Sequence, residues 1–328
     1  MLKTSSADAP SSGLTEADPL FLSDVVSGLK QDPPAIPARW LYDTRGSELF
    51  EEITQLPEYY PTRTETALLA DIAGDVCEYI GQGRAVVEFG AGSVTKTPLL
   101  LNAVDPSAFV PIDISGDFLR ASAGALQADF PDLPIFPVEA NFMESVAMPD
   151  AIADAPKIGF FPGSTIGNMV PRSAVDLLRS MRETLGQGAM LLIGFDRVKQ
   201  PSVLIPAYDD AAGVTAAFNL NLLARINREL GGNIALEDFK HSARWNDDES
   251  RVEMHIEVMR DVAFTIADTE FAMQRGQSIH TENSHKYSQR AARTLLSAGG
   301  WTPVTQYVDE QDWFTLILAE ARPLRFAP

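Results

Sequence analysis

The sequence has almost no cysteine, no long apolar run and few positive charges, and each shortage excludes a class of protein. Cys77 is the only cysteine among 328 residues, so neither a disulfide framework nor a thiolate metal site can form. Lysine and arginine number 26 against 45 aspartates and glutamates, a net charge of −19. Such an acidic chain repels nucleic acid and anionic membrane surfaces. Its apolar runs, such as "AMLLIGF", are too short to span a bilayer.

Histidine is scarce as well, and its spacing does not indicate a metal. The four histidines lack the i,i+4 pairing of a helical zinc site, so we expect no metal centre. The first residues are polar and rich in serine and proline, without the apolar core of a signal peptide. Residues 1–18 are therefore predicted to be a disordered tail. We expect a cytoplasmic protein that acts as a monomer or associates weakly.

What is present is a regular alternation of strands and helices in the middle of the chain, preceded by a long helix predicted from about residue 65 to 80. The predicted strands are "AVVEF", "AFVPIDI", "LPIFPVEA", "KIGFF" and "AMLLIGF". Apolar strands joined by helices predict a parallel sheet covered on both faces. Two further strands, "WTPVTQYVDE" and "WFTLILAEA", follow each other so closely that they must pair antiparallel. The predicted fold class is therefore α/β, with a seven-strand sheet and a terminal antiparallel hairpin that resemble the Rossmann-like sheet of class I methyltransferases.

A second, smaller α+β domain is expected because this rhythm breaks after residue 196. A helix of about twenty residues is predicted over "DDAAGVTAAFNLNLLARINREL". Two strands around the polar turn "NDDES" follow it, which predicts an antiparallel hairpin. We assign residues 61–196 and 287–328 to the sheet domain. Residues 19–60 and 197–286 form the second domain, and a small substrate is expected to bind between the two.

The stretch "VVEFGAGSVTKT", residues 86–97, is a candidate nucleotide cradle. The phosphate-binding motif G-x-x-x-x-G-K-[ST] fails because Thr95 stands where the second glycine belongs, and the β-branched residue would need a positive φ. The dinucleotide motif G-x-G-x-x-G fails at the same position. A dinucleotide-dependent oxidoreductase and a non-catalytic adenosine-binding module remain as alternatives.

S-adenosylmethionine fits this stretch better, because it has no phosphate to cradle. Glu88 supplies an acid at the end of the first strand, and Gly90 and Gly92 supply the G-x-G turn. Lys96 is a natural partner for the carboxylate of the methyl donor. Asp113, at the end of the second strand, can accept hydrogen bonds from both ribose hydroxyls.

The adenine is expected after the third strand, in "EANFME". Asn141 can accept from the adenine amino group, and Phe142 offers an apolar face. Because these residues follow one another on successive strand ends, we predict that S-adenosylmethionine is the cofactor and S-adenosylhomocysteine the product.

Five long segments resemble one family. They are "ARWLYDTRGSELFEEITQLPEYYPTRTE", "VEFGAGSVTKT", "FFPGSTIGN", "YDDAAGVTAAFNLNLL" and "TENSHKYS". They are similar to the histidine Nα-methyltransferases, which make hercynine, the trimethylated betaine of L-histidine, for ergothioneine biosynthesis. The resemblance runs from about residue 36 to 290 and beyond. It implies Nα-trimethylation of L-histidine; methylation of another aromatic amino acid, such as a prenylated tryptophan, is the alternative.

The resemblance also implies roles for single residues. The matching positions that hold the methyl donor in the family are Gly90, Lys96, Asp113, Asn141 and Phe142. The residues implied to surround histidine are Tyr59, Gly163, Asn168, Tyr208, Met254, Glu282 and Ser284, with Tyr42 lining the same pocket as the catalytic candidate. The chain departs from the family pattern at Asn141, where an acid is expected, and carries Asn283 and His285 among the substrate residues.

The chemistry of these residues agrees with such roles. Asn168 lies in "GSTIGN", a loop expected at the carboxyl edge of the sheet, where it can donate to a carboxylate and accept from an ammonium. Glu282 and Ser284 alternate and therefore face the same way on an extended chain, as a grip on an imidazole requires. Methyl transfer to an amine needs alignment, and Tyr42 or a water chain accepts the proton. Tyrosine walls tolerate the quaternary product through cation–π attraction.

Overall fold

The computed structural model describes residues 18–92 and 96–321, except for the side chains of residues 117 and 118. Residues 1–17 of the expected disordered tail lie outside this part. Asp18 lies inside it and caps the first helix, since its carboxylate accepts hydrogen bonds from the backbone N–H groups of Leu20 and Phe21.

Helices and strands alternate along most of the described chain. The helices are α1 (Pro19–Leu29), α2 (Thr44–Thr54), α3 (Tyr60–Ile80), α4 (Thr97–Val104), α5 (Gly116–Asp129), α6 (Pro171–Leu185), α7 (Pro201–Leu204), α8 (Val214–Leu230) and α9 (Gln289–Ala298). The strands are β1 (Ala85–Phe89), β2 (Ala108–Asp113), β3 (Val138–Glu139), β4 (Lys157–Phe161), β5 (Met190–Asp196), β6 (Phe239–Asn246), β7 (Arg251–Val258), β8 (Val262–Ile266), β9 (Thr269–Met273), β10 (Ser278–His285), β11 (Thr302–Val308) and β12 (Phe314–Glu320).

The main sheet has seven strands in the order β11-β12-β5-β4-β1-β2-β3. Strands β1 to β5 run parallel, whereas β12 lies antiparallel to both β5 and β11. The predicted α/β sheet with its terminal antiparallel hairpin is therefore confirmed. Neighbouring residues of one strand face opposite layers: Val86 belongs to the core that includes α3 and α4, and Val87 to the core that includes α6 and α9. Burial on both faces explains why these strands are apolar throughout.

Two proline-containing segments differ from the prediction. The third strand was expected over eight residues, but the strand itself is only Val138–Glu139, with an isolated bridge from Ile135 to Phe109 of β2. Pro137 between them cannot donate to the ladder. Helix α3 was expected from about residue 65 and begins at Tyr60, since Pro61 is tolerated in the first turn of a helix.

Carboxylates cap two other helices, and the second of these begins later than predicted. Helix α2 is capped by Asp43, whose carboxylate accepts from the Gly46 N–H at 2.8 Å. Helix α8 begins only after Gly213, which has a φ of +76°, and the Asp210 carboxylate accepts from the first two N–H groups of the helix. A positive φ at that glycine ends the preceding turn and prevents the helix from starting earlier.

A second hydrophobic core lies outside the main sheet. It is built by α1, α2 and α8 together with the three-stranded antiparallel sheet β10-β7-β6. The hairpin predicted around "NDDES" is confirmed as β6 and β7, and β8 and β9 form a further hairpin of their own. Phe21, Leu41, Leu222 and Ile256 are fully buried in this core.

The chain leaves and re-enters the main sheet at adjacent points. The N–H of Tyr287, where the chain returns from the second core, donates to the carbonyl of Asp196 at the end of β5 at 2.8 Å. This closure brings β10 against the carboxyl edge of β4 and β5, which is the edge where α/β sheets bind ligands. In the described part of the chain, every helix is too short or too polar to cross a membrane.

Candidate active site

A cavity of about 920 Å³ lies between the carboxyl edge of the main sheet and the second core. Most of the residues predicted from the sequence line it. They are Tyr42, Tyr59, Gly90, Gly92, Asp113, Phe142, Gly163, Asn168, Tyr208, Met254, Glu282 and Ser284. Three predicted residues, Glu88, Lys96 and Asn141, are not part of its lining. No group of three or more histidine, cysteine, aspartate and glutamate side chains that could hold a metal occurs in the described residues.

The turn after β1 opens the cavity at the sheet edge. Gly90 has a φ of +75°, which a residue with a side chain rarely adopts, and its N–H donates to the Ile112 carbonyl at 2.8 Å. The Asp113 carboxylate lies beside this turn and accepts from the N–H of Ser115 at 2.8 Å. Burial raises the pKa of Asp113 above its usual value. The neighbouring Ile114 side chain is 63% exposed, which is unusual for an apolar residue. It forms part of the cavity wall.

Glu88 lies behind this turn rather than on the cavity wall. Its carboxyl group is buried and accepts a hydrogen bond from the Thr97 hydroxyl at 2.7 Å. Burial raises the pKa of Glu88 to about 8. The contact ties the end of β1 to the start of α4. Glu88 was predicted to bind the cofactor directly, but in the structure it holds the loop between β1 and α4.

Lys96 is held by a buried glutamate that the sequence analysis did not single out. Its ammonium pairs with Glu65 on α3, whose side chain has no solvent exposure. The same carboxylate accepts from the N–H of Gly163, at 2.8 Å to Oε2. Gly163 follows β4 and has a φ of +80°. Because Glu65 contacts both Lys96 and Gly163, it connects the loop after β1 to the loop after β4.

Of the two predicted residues after β3, Phe142 lines the cavity and Asn141 does not. Phe142 lies 3.6 Å from the position that a Cβ would take on Gly90, so its ring covers the glycine turn. Asn141 is exposed, and its Oδ1 accepts from the Met143 N–H at 3.1 Å.

On the opposite wall, Glu282 is the buried carboxylate of β10. Its Oε1 accepts from the Tyr42 hydroxyl and from Asn168 Nδ2, both at 3.1 Å. Burial raises the pKa of Glu282 to about 7, partly offset by the Tyr42 hydrogen bond and by the charge of Lys286. Met254 lies directly opposite Glu282 in the β7–β10 ladder. Glu282 is thus in direct contact with two other predicted residues, Tyr42 and Asn168.

Ser284, two residues along the same strand, belongs to a hydroxyl pair. Its Oγ lies 2.7 Å from the Tyr208 hydroxyl. The ammonium of Lys286 donates to both oxygens, at 2.7 and 2.8 Å respectively, and pairs with Asp196 at 2.7 Å. Asp196 and Lys286 are almost completely buried.

The family assignment follows from comparison with known proteins. A family model described as "Histidine-specific methyltransferase, SAM-dependent" matches residues 21–321. The chain belongs to this family. The resemblance found in the sequence is confirmed, and S-adenosylmethionine is the methyl donor that the family implies.

Individual relatives of this methyltransferase span both of its cores. "Histidine N-alpha-methyltransferase" of Mycolicibacterium smegmatis is 38% identical, and the match covers 90% of this chain and 93% of that protein. The protein of the same name from Mycobacterium tuberculosis is 37% identical with the same coverage of both chains. "Ergothioneine biosynthesis protein 1" of Neurospora crassa is 28% identical, over 89% of this chain and 34% of that protein.

Aromatic rings close the cavity of the methyltransferase on the side of the second core. The ring centroid of Tyr42 lies 5.7 Å from that of Phe50 and 5.3 Å from that of Phe218, and Tyr59 lies 6.2 Å from Tyr208. The edge-to-face angles of these pairs are typical of stable aromatic contacts. Burial raises the pKa values of Tyr42, Tyr59 and Tyr208 well above the usual range, so their hydroxyls stay protonated at neutral pH.

Reasoning from the sequence missed four residues that contact the predicted site residues. Asp196 stands at the end of an apolar strand, which is the signal that identified Asp113. Lys286 lies inside the family-like segment "TENSHKYS". Glu65 and Phe50 lie on helices, where no local pattern marks a residue that faces a site.

Proposed function

We propose that this methyltransferase trimethylates the α-amine of L-histidine to hercynine, the first step of ergothioneine biosynthesis. The observation that carries the proposal is the buried Glu282 carboxylate, which faces the cavity from β10 opposite the loops of the main sheet. A carboxylate can accept the imidazole N–H, whereas a site that reads only the amine and carboxylate treats all amino acids alike. The names of the two mycobacterial relatives support the same substrate.

The edge of the main sheet fits the methyl donor. Gly90 and Gly92 leave the turn without side chains, and Asp113 can accept from both ribose hydroxyls. Ile114 and Phe142 offer apolar faces suited to an adenine. When bound, S-adenosylmethionine supplies a methyl group activated by its sulfonium. We infer that the Lys96 ammonium lies near the carboxylate of the methyl donor and that Glu65 orients this ammonium. Glu88 would support the cofactor indirectly, by holding the loop after β1. Asn141 would do so by holding the turn after β3, where its Oδ1 accepts from the Met143 N–H.

The second core supplies the substrate side of the cavity. We propose that residues 19–60 and 197–286 form the substrate domain and the remainder of the described chain the cofactor domain. Glu282 and the Tyr208–Ser284 pair would hold the imidazole of histidine, and Asn168 its amine or carboxylate. Tyr59, Gly163 and Met254 would shape the space around them.

Tyr42 is proposed to receive the proton that the α-ammonium must lose before each transfer. Its hydroxyl donates to Glu282 Oε1, so a proton gained by the phenol oxygen can be matched by one released to the carboxylate. The pKa of about 7 for Glu282 makes it able to take up that proton near neutral pH. The rings of Tyr42 and Tyr59 can stabilise a quaternary ammonium through cation–π attraction.

The number of methyl groups transferred to one histidine tests this proposal. The enzyme is incubated with S-adenosylmethionine and L-histidine, and S-adenosylhomocysteine and histidine species are quantified together over time. We expect three molecules of S-adenosylhomocysteine for each histidine consumed, with the trimethylated product as the final species. Accumulation of a monomethyl or dimethyl product as the end point would contradict trimethylation, and unconsumed histidine would contradict the substrate.

A further inference from the structure

A buried ammonium fixes the direction of two hydrogen bonds at the substrate side of the cavity. Lys286 follows β10, and its side chain has no solvent exposure. Its Nζ lies 2.7 Å from Asp196 Oδ2, 2.8 Å from the Tyr208 hydroxyl and 2.7 Å from Ser284 Oγ. An ammonium has three N–H donors and no acceptor. All three donors are therefore used, and both hydroxyl oxygens must accept from Lys286.

The remaining hydrogens of the two hydroxyls can be counted. The oxygens of Tyr208 and Ser284 are 2.7 Å apart, a distance that places one hydrogen between them. Each hydroxyl carries one hydrogen, so one is shared and the other is left over. Because both residues line the cavity, the pair presents one O–H donor to a ligand there. Without Lys286, either oxygen would be free to accept from the ligand instead.

This donor lies on the same face of β10 as the Glu282 carboxylate, which is an acceptor. A neutral imidazole has one N–H and one unprotonated nitrogen, so it matches an acceptor beside a donor. We propose that Lys286 is a positioning residue: by donating to both hydroxyls, it makes the Tyr208–Ser284 pair a hydrogen-bond donor to the substrate, beside the acceptor Glu282. The proposal rests on the proposed function, since it takes histidine as the ligand.

Lys199 provides a matched control for the charge of Lys286. Its ammonium also pairs with Asp196, from the other side, and donates to the Tyr60 hydroxyl at 2.8 Å and to the Arg197 carbonyl at 2.7 Å. Among the hydrogen bonds of the described residues, Lys199 has none to Tyr208 or Ser284. Removing either lysine takes one positive charge from Asp196, but only the loss of Lys286 releases the hydroxyls.

The test is titration of L-histidine into enzyme saturated with S-adenosylhomocysteine. For Lys286→Met we expect histidine affinity to fall on the order of 10- to 100-fold, the loss typical of a misdirected hydrogen bond in a buried site. Lys199→Met should stay within about 3-fold of wild type, because Lys286 still donates to both hydroxyls in that variant, and both variants should keep their affinity for S-adenosylhomocysteine. Equal losses in the two variants, or no loss in Lys286→Met, would overturn the proposal. Wild type that binds no histidine would instead overturn the proposed function.

Two further variants keep the test decisive if Lys286→Met folds poorly. Lys286→Met combined with Asp196→Asn removes the buried anion together with its cation, and it should lose histidine affinity relative to Asp196→Asn alone. In a Ser284→Ala background, the additional loss from removing Lys286 should be smaller than in wild type, because one of the positioned hydroxyls is already gone. Fully additive losses would show a general structural role and contradict positioning.

Discussion

The hydroxyl of Tyr42 donates to Glu282 Oε1 at 3.1 Å, across 240 positions of sequence. Tyr42 follows the short turn before α2, and Glu282 lies in the middle of β10. The contact places a protonated phenol against a carboxyl group whose pKa is raised to about 7 by burial. Recognition of the side chain and removal of the α-amine proton are therefore proposed to share one carboxylate.

Replacing Glu282 should weaken histidine binding selectively. Glu282→Ala removes the acceptor for the imidazole N–H, and we expect a loss of ~2–3 kcal/mol, as for a charge-assisted hydrogen bond. Titration of histidine into enzyme loaded with S-adenosylhomocysteine measures it. Glu52→Ala, an exposed glutamate on α2, serves as the control and should bind as wild type. Unchanged affinity in Glu282→Ala would remove this residue from the substrate site.

Replacing Asp113 should affect the methyl donor instead. Asp113→Ala removes the acceptor proposed for two ribose hydroxyls, so affinity for S-adenosylhomocysteine should fall by ~2–4 kcal/mol. Calorimetry with S-adenosylhomocysteine tests this, and Asp129→Ala, an exposed residue at the end of α5, is the matched control. Equal binding by the two variants would show that the ribose lies elsewhere.

The free energy of unfolding of the ligand-free enzyme should fall as the pH rises towards 8. Burial raises the pKa of Glu88 to about 8 from an ordinary value of 4.5, so the folded chain holds this proton more tightly than the unfolded chain does. Its contribution to stability is fully present below the unfolded pKa and is lost as the pH rises through the folded pKa. Glu282 acts in the same direction through its own pKa of about 7.

Glu88→Gln isolates this effect. The neutral amide can still accept from the Thr97 hydroxyl and has no proton to lose, so stability should decline less steeply between about pH 5 and about pH 9. Urea unfolding of both proteins across this range is the measurement. Parallel curves for wild type and Glu88→Gln would contradict a raised pKa at this position.

The buried pair of Lys96 and Glu65 should matter more for stability than an exposed pair. Lys96→Met leaves the Glu65 carboxylate buried beside Gly163, and we expect the free energy of unfolding to fall by ~3 kcal/mol. Arg179→Met breaks an exposed pair with Asp176 on α6 and should cost about 0–1 kcal/mol. Urea unfolding compares the two, and equal costs would contradict the importance of the buried pair.

Much of the fold could be predicted because its signals are local. The apolar strands and the "NDDES" turn each depend on neighbouring residues, and both were predicted correctly. The third strand is shorter than predicted because Pro137 lacks the N–H that a ladder needs, although the residues around it are apolar. The start of α3 failed because a proline can begin a helix as well as bound a loop.

The site could be predicted only where a residue lies at a strand end or in a recognisable motif. Asp113 and Glu282 met these conditions and both line the cavity. Glu65 meets neither, because its role depends on how α3 crosses beneath the loops after β1 and β4. Lys286 was in a quoted motif, but its role depends on Asp196, which lies 90 residues earlier and reaches it only through the tertiary fold.

The most direct test of the account is a product analysis across all proteinogenic amino acids. The enzyme is mixed with S-adenosylmethionine and each amino acid separately, and tandem mass spectrometry counts and locates the methyl groups. The account predicts that L-histidine alone gains three methyl groups, all on the α-nitrogen. Methylation of the imidazole, equal methylation of another aromatic amino acid, or no methylated amino acid at all would contradict it.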